Sequence, residues 1–474
     1  MSHCTPQERV WTTQQQAIFD EVQHGAGHLV VIARAGTGKT TTLVEAVKRI
    51  PDKKVLLCAF NKSIATELQQ RAPAHCDVKT LHSLGYAAVM KVWGRVRLDD
   101  KRELEILLRK APLLEYEDKQ LLRKLVSLCK ATMTDEGGAI MQLAAEYGIE
   151  PESCNPGTAA FVTMNVLKQS QQYDGTISFD DMVYVPAALG LKTGSYDVVV
   201  VDETQDMNRA QLLCAQAALA PGGRLIVIGD DRQAIYRFRG ADTDSIQRIR
   251  KALKPAVLSL TTSYRCPQSV ASLARQVCPD FQVPMTAPVG EVVEMPCHRA
   301  SQLWTSGDYV LSRTNAPLAK ACLEALRNGQ PAYIQGRDVG AGLSALVKRS
   351  KARSIIDLQV WLVDYRQQEF EKLTAKGKPE KIEDVDDRID ALDALCDGLT
   401  TTSELLARLE SLFSDDQNTK RLMFSSVHRA KGLESDRVFV LTDTFRGGSV
   451  EEENLWYVAV TRSKRNLFLV GGLP

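Results

Sequence analysis

The stretch Ala33-Arg34-Ala35-Gly36-Thr37-Gly38-Lys39-Thr40 has the composition of a loop that cradles phosphate. Small residues let successive backbone N–H groups converge on an anion at the mouth of a helix. Lys39 is spaced to reach the terminal phosphates, and the Thr40 hydroxyl to ligate Mg²⁺. Far downstream, Val198-Val199-Val200-Val201-Asp202-Glu203-Thr204-Gln205-Asp206 sets acids at the end of an apolar run. Asp202 is placed to hold the shell of a divalent cation, and Glu203 to polarise an attacking water. Each segment alone has an ordinary explanation, a glycine-rich turn or a solvated strand end. Together they imply a nucleoside triphosphate site with hydrolytic chemistry. One residue departs from G-x-x-x-x-G-K-T: Ala33 stands at the first glycine, which is tolerable if its φ is negative.

The elements that must position these residues are legible around them. His28–Ala33 is a short apolar run, which reads as a buried parallel strand. Thr40–Ile50 has helical spacing, with Leu43, Val44, Val47 and Ile50 on one side. Four consecutive valines suit a strand covered on both faces, and acids at its C-terminal end lie where open α/β sheets bind ligands. Further strands are expected at Val55–Phe60, Val78–Thr80 and Leu225–Asp230, with a helix at Ser63–Arg71. Helical patterns run from about 84 to 170, including Glu103–Lys110 and Lys119–Lys130. A second α/β region starts near 256, with strands at Val257–Ser263, Val292–Met295, Tyr309–Ser312, Ala332–Gln335, Leu422–Val427, Val438–Thr442 and Leu467–Val470. Its own helical stretch spans 340–415, with helices at Ile355–Leu373 and Asp384–Leu395. Lys372–Lys381 reads as a charged linker or loop tip containing glycine and proline.

Composition sets outer bounds. At 474 residues the chain exceeds one ordinary core. Apolar residues make up 44% and charged residues 25%, values of a globular protein in water. Net charge is +1, so a nucleic-acid site must come from local patches. No apolar run approaches membrane-spanning length and no signal peptide is evident, so a cytoplasmic protein is expected. The 11 cysteines are scattered without C-x-x-C spacing, which favours buried thiols over disulfides, zinc or iron–sulfur.

An ordered series of motifs then resembles superfamily 1 DNA helicases of the UvrD/Rep/PcrA type. Thr12-Thr13-Gln14-Gln15 resembles the Q motif, followed by the phosphate loop, Ala59-Phe60-Asn61-Lys62 and Thr80-Leu81-His82-Ser83. Asp202–Asp206 and Gly229-Asp230-Asp231-Arg232-Gln233-Ala234-Ile235-Tyr236-Arg237-Phe238-Arg239-Gly240-Ala241 come next. Tyr264-Arg265, His428-Arg429-Ala430-Lys431-Gly432-Leu433-Glu434 and Tyr457-Val458-Ala459-Val460-Thr461-Arg462-Ser463-Lys464 complete the order. The wording of the Phe60-Asn61-Lys62-Ser63 segment is also similar to the F-box-type branch, without an evident F-box region.

The resemblance implies an α/β protein with two RecA-like parallel-sheet cores, each carrying a helical insertion, and an ATP site in the cleft between them. Core 1 would comprise 1–83 and 171–255 with an insertion at 84–170. Core 2 would comprise 256–339 and 416–474 with a short insertion at 340–415. It implies that Gln15 reads adenine, Tyr264 stacks on it and Glu434 meets the ribose. Thr41 stands where relatives often carry an arginine against the base. Arg34, Ala35, Gly36, Thr37 and Gly38 would line the phosphates. Gln233 would sense the γ-phosphate, while Arg265 and Arg462 would neutralise its developing charge. Phe60, Asn61, His82, Tyr236, Phe238, Arg239 and His428 would contact DNA, combining aromatic platforms with cations. The implied activity is ATP-dependent translocation on single-stranded DNA, 3′→5′, with strand separation on tailed duplexes in repair, recombination or replication. The other readings are an ATPase that strips proteins from single strands without unwinding, and a nucleotide-switched binding module.

Overall fold

The computed structural model describes residues 10–235, 245–375, 379–415 and 420–472. The chain forms two units, Met1–Thr261 and Thr262–Pro474, each built on its own parallel sheet.

In the first unit the strands are β1 (Leu29–Ala33), β2 (Val55–Ala59), β3 (Cys76–Thr80), β4 (Arg97–Leu98), β5 (Thr176–Ile177), β6 (Tyr196–Val201), β7 (Leu219–Gly229) and β8 (Ala256–Leu260). Six of them form one sheet in the order β3-β2-β6-β7-β1-β8, and every pair is parallel. Alternate residues face opposite sides, and both sides are covered. Val30, Leu56, Cys58, Val199, Val201, Leu225 and Val227 pack in one apolar cluster with Leu84 and Ala210. Leu29, Val31, Val55, Leu57, Val198, Val200, Ile226 and Ile228 pack in another with Ile18, Phe19, Leu43 and Val47 from helices Thr13–His24 and Lys39–Lys48. Continuous valine in β6 follows from this two-sided burial.

The strand expected to open the second core lies elsewhere. β8 pairs with β1 from Leu29↔Ala256 to Ala33↔Leu260 and closes the first sheet. Leu260 is buried among first-unit residues. Gln14 holds the following residue, accepting from Thr261 N–H (3.0 Å) and donating to its hydroxyl (2.9 Å).

The helical insertion is also larger than 84–170. Its helices run from Leu81–Trp93 to Asp181–Ala188, and Val89, Ile106, Leu122, Val126, Val166 and Val185 share a separate apolar core. Buried ions sit within it. Lys130 Nζ pairs with Asp181 Oδ1 (2.7 Å) and with Glu103, and Arg102 Nη1 with Asp181 Oδ2 (2.5 Å).

The second unit holds β9 (Glu291–Pro296), β10 (Tyr309–Ser312), β11 (Ala332–Gln335), β12 (Phe413–Ser414), β13 (Leu422–Ser426), β14 (Ser435–Leu441) and β15 (Ser463–Gly471). Their order is β12-β11-β13-β10-β14-β15-β9, again parallel throughout. Helices Arg337–Ser350, Ile355–Ala375, Pro379–Cys396 and Thr402–Leu412 occupy the expected insertion, and helix extends into the expected 372–381 linker from both ends, as far as Ala375 and again from Pro379. Among the described residues they pack into the core of the sheet rather than into one of their own. Leu343, Leu358, Leu392 and Leu405 join the same cluster as Val310, Ile334 and Phe424 of the sheet. Asp387 accepts from the N–H groups of Asn315 (2.9 Å) and Ala316 (2.7 Å), so an inserted helix caps helix Ala316–Arg327.

Of the ten described cysteines, all are free and eight are buried.

Candidate functional site

Strand order makes the first site. β6, β7 and β1 are neighbours, so the chain leaving each of their C-terminal ends meets at one edge of the sheet. These exits are the phosphate loop 34–38, Asp202-Glu203 and Asp230. Gly36 and Gly38 have φ of 74° and 78°, conformations that small loop residues must supply before helix Lys39–Lys48. Ala33 is not among the positive-φ residues, so its side chain is accommodated as the last residue of β1.

Lys39 Nζ lies 2.9 Å from Glu203 Oε1. Burial works against the Lys39 ammonium, but the carboxylates of Glu203, Asp202 and Asp230 outweigh it and hold its pKa above the usual lysine value. Thr40 Oγ1 donates to Asp202 Oδ2 (3.2 Å), and Glu203 N–H donates to Asp202 Oδ1 (2.8 Å). Burial, then the neighbouring Glu203 charge, pushes the Asp202 carboxyl up from its ordinary value. A hydroxyl and a buried carboxylate side by side suit a hard cation that takes oxygen ligands and shares them with phosphate. The Asp202–Thr40 pair therefore fits Mg²⁺.

Glu203 is one of four described non-glycine residues with positive φ, at 53°. Holding such a residue there costs on the order of 1–3 kcal/mol, which the surroundings must offset. The next residue anchors the turn: the single Thr204 hydroxyl proton is shared between Val201 O (3.1 Å) and Ile228 O (3.0 Å). The strained turn aims the Glu203 carboxylate into the site. Its Oε2 accepts from Gln205 Nε2. Gln205 Oε1 in turn accepts from Asp230 N–H (3.0 Å). Gly229 permits this approach, because a Cβ there would stand 2.5 Å from Gln205 Oε1. Gln233 is buried and donates from Nε2 to Asp230 Oδ2 (2.8 Å).

Other expected nucleotide contacts have structural employment. Gln15 is buried, forms a capping box with Thr12 and donates to Thr42 Oγ1 (3.1 Å). Thr41 Oγ1 accepts from Arg71 Nη2 (2.8 Å), which brings an arginine to the position where the motif lacks one.

On the same unit, Phe60 is half-buried at the end of β2. Asn61 caps helix Lys62–Arg71 through Ile64 N–H (2.9 Å). His82 stacks on Phe179, centroids 4.1 Å apart and planes 22° apart. Burial pushes the His82 pKa down to about 4, so its ring is neutral at physiological pH. Phe179 is 51% exposed. Sequence reasoning passed it over: a lone aromatic in Ser178-Phe179-Asp180-Asp181 shows no periodicity, and only the fold brings it to His82. Tyr236, Phe238 and Arg239 lie outside the described residues.

In the second unit Arg265 Nε donates to Glu434 Oε2 (2.6 Å) and Nη1 to Thr461 O (3.4 Å). Arg462 is buried, with Nε on Val458 O (2.9 Å), Nη1 on Leu433 O (3.1 Å) and Nη2 on Thr461 Oγ1 (3.2 Å). Two arginines and Glu434 thus gather around Thr461. Tyr264 beside them is 56% exposed. His428 is half-buried on the short helix Val427–Ala430. Among the described residues, no helix is long and apolar enough to cross a membrane.

The model of the UvrD/REP helicase N-terminal domain matches residues 11–254, just over half of the chain, and that of the UvrD-like helicase C-terminal domain matches residues 422–470. F-box DNA helicase 1 of Gallus gallus is 22% identical over 518 aligned residues, covering 97% of this chain and 49% of that protein. ATP-dependent DNA helicase PcrA of Bacillus subtilis is 26% identical over 279 residues, covering 53% of this chain and 37% of its own length. DNA helicase II of Haemophilus influenzae is 23% identical over 283 residues, covering 53% and 38%. The chain spans about half the length, or less, of these relatives.

Proposed function

Because this chain belongs to the UvrD/REP helicase family, we propose that it hydrolyses ATP to move along single-stranded DNA. The observation that carries the reading is the cluster of Lys39, Thr40, Asp202 and Glu203 at adjoining strand ends. In it the loop N–H groups and Lys39 bind the phosphates, and Thr40 with Asp202 hold Mg²⁺, which supplies charge neutralisation when bound. Glu203 orients the attacking water and takes its proton. Lys39 pairs with Glu203 at 2.9 Å. An entering phosphate competes for that ammonium and leaves the carboxylate ready to accept a proton.

Gln233 is the proposed γ-phosphate sensor, and Arg265 and Arg462 the proposed charge-neutralising pair. Tyr264, Glu434 and Gln15 are proposed on the nucleoside side; Gln15 and Glu434 would exchange their present partners to serve there. Phe60, Asn61, His82, Tyr236, Phe238, Arg239 and His428 are the proposed DNA contacts, and the exposed Phe179 ring joins them as a stacking surface.

The 3′→5′ direction and strand separation on tailed duplexes rest on the resemblance. The second insertion is folded into the core of its unit rather than standing as a separate module. That favours keeping a translocase that strips proteins from single strands without unwinding as the second reading. ATPase assays with and without oligonucleotide, and strand displacement on 3′- and 5′-tailed duplexes, test both. No hydrolysis would reject the proposal, stimulated hydrolysis without displacement would select the second reading, and displacement only from 5′ tails would reverse the direction.

A further inference from the structure

The phosphate loop needs small residues and backbone N–H groups, and nothing in that cradle calls for an arginine at position 34. Arg34 is nevertheless 8% exposed, with its backbone N–H on Leu260 O (2.9 Å) and its carbonyl accepting from the Thr37 hydroxyl (2.9 Å). Its guanidinium turns to the exit of β7. Nη1 lies 3.1 Å from Asp230 Oδ1 and also contacts Asp231. The Asp230 side chain is fully buried, whereas that of Asp231 is 48% exposed. Asp230 divides its carboxylate: Oδ1 accepts from Arg34 Nη1 and from the Arg232 N–H (3.2 Å), and Oδ2 accepts from Gln233 Nε2. Its backbone N–H is held by Gln205, whose amide holds Glu203. A closed chain of contacts therefore runs from Lys39 through Glu203, Gln205 and Asp230 to Arg34, beginning and ending on the phosphate loop, with Gln233 attached at Asp230.

We propose that Arg34 is a positioning residue that fixes Gln233 through Asp230, so that the phosphate loop and the proposed γ-phosphate sensor move as one piece. This rests on the ATPase reading above. A buried carboxylate that has lost its charged donor rotates or drags its remaining side-chain partner with it. The Arg34 head meets two carboxylates at once through Nη1, and its charge is present at every accessible pH. Asp231 supplies the outer contact and sets the orientation of that head.

The test is a kinetic cycle on the full chain at saturating single-stranded DNA, using Arg34→Ala, Arg34→Lys, Asp231→Asn, Gln233→Ala and Arg34→Ala combined with Gln233→Ala. Arg34→Ala is expected to lower kcat by roughly 10²-fold, the scale of a misplaced reacting group, with KM for ATP nearly unchanged. The double variant is expected to be no slower than Gln233→Ala alone. Arg34→Lys should recover part of the loss, and Asp231→Asn should show a smaller loss than Arg34→Ala. These two conservative variants carry the cycle should thermal melting show Arg34→Ala to be unfolded. A raised KM at parental kcat would make Arg34 a phosphate ligand, and additive losses would uncouple it from Gln233; either result overturns the inference while leaving the ATPase reading standing. A parent chain that hydrolyses no ATP removes both.

Discussion

Replacing Phe179 by alanine perturbs two quantities whose sizes follow from one stacked pair. The Phe179 ring lies on His82 at 4.1 Å, with half of its own surface exposed. If the outer face receives a DNA base, its loss removes about 1–3 kcal/mol, or roughly 5- to 150-fold in Kd. The inner face covers His82, whose pKa burial pushes down from 6.5 to about 4. That gap corresponds to about 3 kcal/mol between protonating the imidazole in the unfolded and folded chain. The sign follows from linkage. The unfolded chain takes up the proton near pH 6.5 and the folded chain only near pH 4, so stability falls as pH drops through that window and is untouched above it. Uncovering His82 moves its pKa back toward 6.5, so the variant should lose less stability on acidification than the parent. Imidazole titration by NMR, urea melts at pH 7 and pH 4.5, and anisotropy with a labelled oligothymidine read the three effects. An unchanged His82 pKa would show that Phe179 is not its cover, and an unchanged Kd would show that the exposed face meets no base.

Glu203→Gln keeps the shape of the turn while removing the charge beside Lys39; nucleotide binding should survive and turnover should fall by about 10²- to 10⁴-fold, the range of a lost general base, read by equilibrium binding and single-turnover hydrolysis. Gly229→Ala forces a Cβ to within 2.5 Å of Gln205 Oε1; about 1–3 kcal/mol of stability should be lost by urea melt, and turnover should fall with it because Gln205 links Glu203 to Asp230. Lys130→Met leaves Glu103 and Asp181 buried without their shared cation; about 3–5 kcal/mol should be lost, a larger drop than any exposed lysine in the same helix produces.

Which features were readable from sequence, and which were not, divides along covalent distance. The phosphate loop, the valine strand and the acids after it are contiguous, and each carries its own local reason. The edge strand β8 does not. Val257–Ser263 reads as a strand, but partner choice is invisible in a single segment. Only Leu260 packing with Ile18 and Leu29, and Gln14 grasping Thr261, assign it to the first sheet. The same holds for the insertions. Both are helical by pattern, yet one has a private core around Leu122 and Val126 while the other shares the core of Val310 and Phe424. A hydrophobic repeat says that a face is buried and is silent on what buries it.

Site chemistry obeys the same division, and Arg34 is its sharpest case. In the sequence it is an unspecified position in a phosphate motif. Folding places β7 between β6 and β1, which sets Asp230 beside it across nearly 200 residues of chain. Once there, its guanidinium meets a fully buried carboxylate. Gln15 and Asn61 illustrate the converse. Sequence assigns each a ligand, while geometry gives each a helix cap first. Capping contributes about 1 kcal/mol at such positions. A ligand must therefore offer Gln15 or Asn61 more than that to displace the cap, or must use the donors and acceptors that capping leaves unengaged. This energetic threshold separates residues that wait for a substrate, such as the strained Glu203, from residues that first hold the scaffold in place.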